Sequence, residues 1–195
     1  MSNNELKGMS NEELWQLFPI ILQEYDPKWP IMYEKQKQLI LTKLDKKRVI
    51  HLDHIGSTSV KGLLAKPTVD ILLQITELNK QEETAFIKQI EELDYIYSEQ
   101  PTNPKPHMMF MKGYTLKGFA DEVFHLHVRY LGDHDELYFC RYLRENKDVA
   151  EQYGLLKKEL ESRFKHDRDG YTNAKTDFIK KWTAIAKEVY LNSQV

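Results

Sequence analysis

The stretch HLDHIGSTSVKGLLAKPTVDILL, from His51 to Leu73, carries the features around which the rest of the chain is arranged. It predicts a strand, a turn of small residues, a connector ending at Pro67 and a second strand that holds Asp70. The second strand, Val69 to Ile75, is a nearly continuous run of leucine and β-branched residues, which is typical of a strand covered on both faces. Because a carboxylate is normally excluded from such a strand, we expect Asp70 to have a partner or a function.

The turn that follows the first strand has the composition of an anion-binding site. Gly56 lacks a Cβ atom and can adopt positive φ, so the backbone can approach a ligand closely. Ser57 and Thr58 add hydroxyl groups, and Lys66 adds a positive charge nearby. Together with free backbone N–H groups, these residues predict a cradle for phosphate oxygens. The same residues are also compatible with a plain strand-to-helix turn capped by serine.

Asp70 and two histidines predict a metal site beside this turn. A carboxylate one strand away from a phosphate cradle is suitably placed to hold a Mg²⁺ ion that bridges phosphates. His125 and His127 are two residues apart in a predicted strand, so both rings project from one face. With Asp70 they would form a two-histidine, one-carboxylate set suited to Zn²⁺, Mn²⁺ or Fe²⁺. The alternatives are an ion pair of Asp70 with Lys66 and a core histidine satisfied by a hydrogen bond.

The composition of the 195 residues is that of an ordinary soluble globular protein. Charged residues make up 30% of the chain, and the mean hydropathy is −0.61, which argues against a membrane protein. A net charge of −2 provides no overall field that would attract nucleic acid or an anionic membrane. The single cysteine, Cys140, excludes an internal disulfide framework, and the N-terminus lacks the pattern of a secretory signal. We therefore expect a cytoplasmic protein.

Hydrophobic periodicity predicts an α+β protein with a helical C-terminal part. A capping box at Ser10 predicts the start of a helix. Residues 27–30 are predicted to form a loop, and Pro30 is expected in the first turn of a helix that reaches Leu44. The run 20–22 is compatible with a short strand or with a segment packed on a helix. The predicted strands cover 48–55, 69–75, 95–97, 107–114 and 122–130, and the last two are joined through Gly113 and Gly118. The other predicted helices cover 80–93, 133–146, 148–164 and 172–192. Predicted loops cover 100–106 and 166–170.

The segment DHIGSTSVKGLLAKPTVDILL resembles the signature of the GrpB family, E-H-I-G-S-T-x-V-P-G-L-x-A-K-P-x-x-D-I. The resemblance extends to HLHV at 125–128, to FCRYLREN at 139–146, to Tyr153 with Lys157, and to Tyr171 with Lys175 and Phe178. It covers the chain from about Asp26 to its end.

This resemblance implies a fold similar to that of nucleotidyltransferases, in which a mixed sheet is flanked by helices and followed by a C-terminal helical segment. It places an N-terminal helical extension at 1–25 and one domain at 26–195, with a sheet core at about 48–130 and a helical tail at about 133–192. Gly56, Ser57 and Asp70 match the superfamily motif of G-S followed by D-x-D or D-x-E. Leu72 occupies the second acidic position, and Lys61 stands where the family usually has proline.

The resemblance further implies that Arg141, Tyr171 and Lys175 contact phosphate or base. The leading hypothesis is a nucleotidyltransferase-like protein that binds a nucleotide or another phosphorylated small molecule, with Mg²⁺ or Mn²⁺, or alternatively Zn²⁺, at Asp70. One alternative is a non-catalytic binding module of the same fold, since a leucine cannot hold a hard cation. The other is a metal-dependent enzyme built on Asp70, His125 and His127. No membrane or nucleic-acid partner is expected, and the oligomeric state stays open.

Overall fold

The computed structural model describes residues 5–6, 8–100, 107–132 and 134–192. The helices are α1 (Asn11–Leu17), α2 (Lys28–Lys43), α3 (Lys80–Glu91), α4 (Asp135–Glu145), α5 (Lys147–Phe164), α6 (Arg168–Ala174) and α7 (Thr176–Asn192). The strands are β1 (Val49–Ile55), β2 (Val69–Ile75), β3 (Ile96–Ser98), β4 (Met108–Thr115) and β5 (Gly118–Tyr130). The predicted α+β class, with a mixed sheet and a helical C-terminal segment, is confirmed.

The five strands form one sheet in the order β1-β2-β5-β4-β3. β2 pairs in parallel with β5, and the other neighbours are antiparallel. In this register Asp70 lies between Ile55 on β1 and His125 on β5, and Leu72 lies beside His127. The sheet thus brings three distant segments of the chain together at one end of β2.

The two faces of the sheet have different partners. One face packs against α2 and α3 through Trp29, Ile40, Phe86 and Ile90, and it includes the alternate residues Val69, Ile71 and Leu73 of β2. The other face carries Asp70 and Leu72, because side chains alternate along a strand. Helices α4 to α7 lie on that side, where Leu72 packs with Ile55 and Cys140. Every residue of β2 except Asp70 is buried, as predicted for a doubly covered strand.

The N-terminal part of the chain ends in an extended segment. The capping box at Ser10 is confirmed, with its hydroxyl accepting from the Glu13 N–H and the Glu13 carboxylate accepting from the Ser10 N–H. After α1 the chain runs over the helical side of the molecule, where the Ile20 N–H donates to the Lys165 carbonyl at 2.7 Å. Gln23 forms an isolated antiparallel bridge with Ala65. The run 20–22 is therefore a packed, extended segment that joins the connector to the helices.

Several predicted boundaries are wrong. Residues 28 and 29 already belong to α2, so Pro30 occupies its first turn. The hairpin turns at 116–117, and both glycines lie within strands: Gly118 pairs with Thr115, while Gly113 accommodates an irregularity between Lys112 and Tyr114. The segment predicted as a loop at 166–170 contains the start of α6, whose first turn is capped by Asp167. The loop predicted at 100–106 lies outside the described residues except for its first residue.

Of the helices that the structure describes, none is both long and apolar enough to cross a membrane.

Candidate functional site

The turn after β1 is held in an unusual backbone conformation. Gly56 has φ +71° and ψ −175°, a region that essentially only glycine adopts. A Cβ atom at this position would lie 2.4 Å from Oδ2 of Asp70, so the turn and the carboxylate are in close contact. Cys140 supports the turn from α4, since its Sγ accepts the Gly56 N–H at 3.1 Å.

Ser57 to Ser59 form one turn of 3₁₀ helix that begins immediately after Gly56. Thr58 is buried, and its hydroxyl donates to the Thr68 carbonyl at 3.3 Å. The turn geometry leaves the Ser57 and Thr58 N–H groups without a partner inside the turn, as at any helix N-terminus. Both residues line the cavity described below.

Asp70 lies beneath this turn and is contacted by both histidines of β5. Its Oδ1 is 3.1 Å from Nδ1 of His125 and 3.6 Å from Nε2 of His127. Burial alone would raise the pKa of Asp70, but hydrogen bonds from the two imidazoles lower it well below its usual range. Burial lowers the pKa of His125 to about 4, so the ring is neutral at pH 7. The carboxylate is therefore ionised and the neighbouring ring uncharged, which are the forms that metal binding requires.

The three residues place one potential ligand atom each within 4.8 Å of one another. Two atoms bound to one ion at about 2.1 Å can lie at most about 4.2 Å apart, and the separations of 3.1 and 3.6 Å between Asp70 Oδ1 and the two histidines meet this limit, so the donor types suit a divalent transition ion. The other nitrogen of His125 is not free, however, because Nε2 is 2.7 Å from the Tyr114 hydroxyl. Tyr114 in turn accepts a hydrogen bond from Arg168 at 3.2 Å.

Four basic side chains line the space above Asp70. They come from the connector, α5, α6 and the junction of α6 with α7: Lys66, Lys157, Arg168 and Lys175. Burial lowers the pKa of Lys66 and of Lys157 to about 7 and that of Lys175 to about 8, and neighbouring cations contribute to each shift. None of the four forms a salt bridge with a carboxylate among the residues that the structure describes. They concentrate positive charge in a cavity whose lining also includes Lys180, Lys187 and the carboxylates of Asp70, Asp135, Glu136 and Asp169.

Lys157 is the most buried of these cations, with 2% of its surface exposed. Its Nζ donates to Ser57 Oγ at 2.9 Å and also to the Leu64 carbonyl. It lies 4.6 Å from the centroid of the Tyr153 ring. Charge pattern on a helix predicts a solvated face for such a lysine, and only the resemblance of Tyr153 and Lys157 to the family signature marks it out. The structure shows that α5 turns this side chain into the site.

Tyr171 is 1% exposed and lines the same cavity. The Nζ atom of Lys175 lies 4.3 Å from its ring centroid and that of Lys66 lies 5.7 Å away. Its buried hydroxyl has no hydrogen-bond partner among the described residues. Because a buried hydroxyl normally has a partner, this one is available to a ligand.

These groups surround one cavity of about 780 Å³. That volume is within the range of small-molecule sites. The predicted residues Gly56, Ser57, Thr58, Lys66, Asp70, His125, His127, Tyr171 and Lys175 all line it. Lys157 and Arg168 also line it, and the prediction did not include them.

Arg141 is the one predicted site residue that the structure places elsewhere. It is exposed on α4, where it donates to Glu145 at 2.9 Å and lies 3.9 Å from the Tyr190 ring centroid. Its helix position directs it away from the cavity, and it does not line it. Arg144, one turn further on, instead supports the turn by donating to the Ser59 hydroxyl at 2.9 Å.

Comparison with known proteins agrees with the resemblance in the signature. UPF0157 protein BH1888 of Halalkalibacterium halodurans is 31% identical over 164 residues, which are 83% of this chain and 79% of that protein. Glutamate-rich protein GrpB of Alkalihalophilus pseudofirmus is 30% identical over 163 residues, 82% of this chain and 91% of that protein.

Among solved structures, the conserved protein GrpB from Enterococcus faecalis superposes with a TM-score of 0.76 at 29% identity, covering 88% of this chain and 99% of that one. A structure of Cid1 with its short product ApU matches at a TM-score of 0.47 and 10% identity, a similarity that supports no conclusion about this chain. The model of the GrpB protein family matches residues 19–184, which contain the turn, Asp70, both histidines and all four cations. This chain therefore belongs to the GrpB family.

Proposed function

We propose that the cavity binds the phosphate chain of a nucleotide together with one divalent metal ion. The observation that carries this proposal is the group of four cations, Lys66, Lys157, Arg168 and Lys175, which lack salt-bridge partners among the described residues. Burial and mutual repulsion lower the pKa of the three lysines, and a bound anion would restore their full positive charge. A polyphosphate is an anion of suitable charge and size for a cavity of this volume.

The site residues divide this task between them. The N–H groups of Ser57 and Thr58 and the four cations would bind phosphate oxygens, and the free hydroxyl of Tyr171 would donate to one of them. Asp70 and His127 would hold the metal ion, because His125 is engaged through both ring nitrogens. When bound, such an ion neutralises phosphate charge and polarises the phosphoryl group. Mn²⁺ and Zn²⁺ accept imidazole more readily than Mg²⁺ does.

A non-catalytic binding role is the second candidate, and Leu72 favours it. Two-metal nucleotidyl transfer needs carboxylates that bind both ions. Here the second acidic position of the motif is a fully buried leucine packed against Ile55 and Cys140. Nucleotidyl transfer to an acceptor therefore requires that His127, which is paired with Leu72 in the sheet, supplies the missing ligand.

The test is the thermal stability of the whole chain with ATP, GTP, CTP or UTP, each with Mg²⁺, Mn²⁺ or Zn²⁺. A nucleotide at 100 times its dissociation constant should raise the free energy of unfolding by about 2.7 kcal/mol. Asp70→Asn should abolish the metal-dependent part of this increase. Lys66→Met should weaken nucleotide binding about tenfold or more, since it removes a charged contact.

Lys61→Met is the matched control, because Lys61 lies on the same connector but is exposed and does not line the cavity. Stabilisation by metal alone, lost in Asp70→Asn, would favour the metal-dependent enzyme built on Asp70 and the two histidines. If none of the four nucleotides stabilised the chain, the proposal would be contradicted.

A further inference from the structure

Four side chains from distant parts of the chain form a continuous series of hydrogen bonds that ends at Asp70. Arg168 Nη2 lies 3.2 Å from the Tyr114 hydroxyl, this hydroxyl 2.7 Å from His125 Nε2, and His125 Nδ1 3.1 Å from Asp70 Oδ1. The series joins α6 to β4, β5 and β2 in turn. It includes two residues, Tyr114 and Arg168, that the family signature does not single out.

The chemistry of its two end members fixes the direction of the bonds around a neutral histidine. A guanidinium can only donate, so the Tyr114 oxygen accepts from Arg168. An ionised carboxylate can only accept, so Nδ1 of His125 carries the ring proton and donates to Asp70. Nε2 of the neutral ring is then an acceptor, and the Tyr114 hydroxyl donates to it. No other arrangement satisfies all three bonds with a neutral histidine.

The series is anchored in the N-terminal part of the chain. Nη1 of Arg168 donates to the Phe18 carbonyl at 3.1 Å, and the Phe18 ring contacts that of Tyr114 edge-on with centroids 4.8 Å apart. Phe18 immediately precedes the region matched by the family model. The segment outside that match thus contacts the first two members of the series, Arg168 and Tyr114.

We propose that His125 and Tyr114 are positioning residues that orient Asp70, so that Asp70 and His127 alone bind the metal ion. The part of this inference that concerns the metal ion rests on the proposed function, whereas the part that concerns the hydrogen bonds does not. With Oδ1 of Asp70 committed to His125, Oδ2 is the oxygen that faces the Gly56 turn, where a Cβ would meet it at 2.4 Å. Oδ2 thus stays open to a metal ion, while Oδ1 also lies 3.6 Å from Nε2 of His127. Partners of this kind typically change metal affinity 10- to 100-fold when removed.

The first experiment reads the tautomer of His125 without any ligand. Long-range ¹H–¹⁵N correlation spectra of the wild-type chain, with the His125 signals assigned by their loss in His125→Asn, should show the proton on Nδ1. Tyr114→Phe should shift the Nε2 resonance, whereas Tyr97→Phe, on the edge strand of the same sheet, should not. A proton on Nε2 would overturn the inference, whether or not the protein binds a metal.

The second experiment separates positioning from ligation by titrating Mn²⁺ into the whole chain. An asparagine amide can donate to Asp70 in place of Nδ1, so His125→Asn should stay within about threefold of wild type, while His125→Ala should bind about 10- to 100-fold more weakly. Equal losses in His125→Asn and His125→Ala would overturn the inference and make His125 a ligand. A wild-type chain that binds no Mn²⁺ would overturn the proposed metal site, and the tautomer alone would then decide whether His125 positions Asp70.

Discussion

Gly56 shows how a single residue determines the geometry of the site. Its backbone conformation and its contact with Asp70 each exclude a side chain, and the two constraints are separable. Gly62, six residues along the same connector, also has positive φ, at +82°, but a Cβ there would meet nothing within 4 Å. Position 62 therefore requires glycine only for its backbone conformation. Position 56 requires glycine also because Asp70 occupies the space that a side chain would take.

We expect Gly56→Ala to cost about 1–3 kcal/mol in backbone strain, with a further cost from displacing Asp70. Gly62→Ala should cost only about 1–2 kcal/mol. Urea denaturation of the two variants measures these free energies of unfolding. Nucleotide affinity should fall in Gly56→Ala only. Equal losses of stability, with affinity retained in both variants, would show that Asp70 does not need the space above it.

At the scale of the element, β2 explains why Asp70 is well placed in the G-S and D-x-D motif and why Leu72 does not complete it. Alternation along the strand places Asp70 and Leu72 on the helical side, so a D-x-D pair would present both carboxylates to one site. In this chain the second of these positions is 0% exposed, and its neighbours are Ile55 and Cys140. The surroundings of Leu72 are those of a core residue.

Leu72→Asp should therefore destabilise the protein by about 3–5 kcal/mol, because it buries a carboxylate against Ile55 and Cys140. The loss should be smaller at acidic pH, since burial raises the pKa of a carboxyl group and its neutral form is then tolerated. Leu72→Met, which conserves volume, should cost less than about 1.5 kcal/mol. Thermal and urea unfolding at pH 5 and pH 7 measure both effects. A stable Leu72→Asp chain that gained nucleotidyl transfer would identify this position as a metal ligand lost from the motif.

At the scale of the whole molecule, the cation cluster exists only because separate elements converge. Lys66 follows the turn, while Lys157 and Lys175 lie about 90 and 110 residues further along the chain. Burial lowers the pKa of all three, to about 7, 7 and 8. A bound polyphosphate would raise these pKa values again, since opposite charge favours the protonated form. Binding is therefore expected to take up protons.

The sign of the pH dependence follows from this linkage. Affinity for ATP with Mg²⁺ should be greatest below the free-state pKa values near 7–8 and should fall as the pH rises through them towards 9. Each linked proton contributes at most about a tenfold loss per pH unit. Calorimetry at pH 8 in buffers of different ionisation enthalpy measures the uptake directly, and Lys66→Met should take up fewer protons than wild type. Affinity that stays constant or rises between pH 7 and pH 9 would contradict the prediction.

By itself, the sequence determined the class of fold, the strand that carries Asp70 and the position of the turn beside it. These properties depend on local patterns: alternation along β2, the glycine at the turn and the capping box at Ser10 are legible within a few residues. The resemblance in the signature added the family. The shared face of the two histidines also followed from a spacing of two within one strand.

Only the tertiary structure decided which charged residues face the cavity and which do not. Arg141 and Lys157 both lie on amphipathic helices with mixed charge, and only helix packing turns Lys157 inward and leaves Arg141 in solvent. The hydrogen bonds that connect Asp70 to His125 and Tyr114 to Arg168 join residues 55 and 54 positions apart. Such contacts form only when distant segments of the chain pack together, so the local hydrophobic pattern of the sequence does not predict them. The sequence located the site beneath Gly56, and the packing of α5 and α6 over the sheet decided which residues complete it.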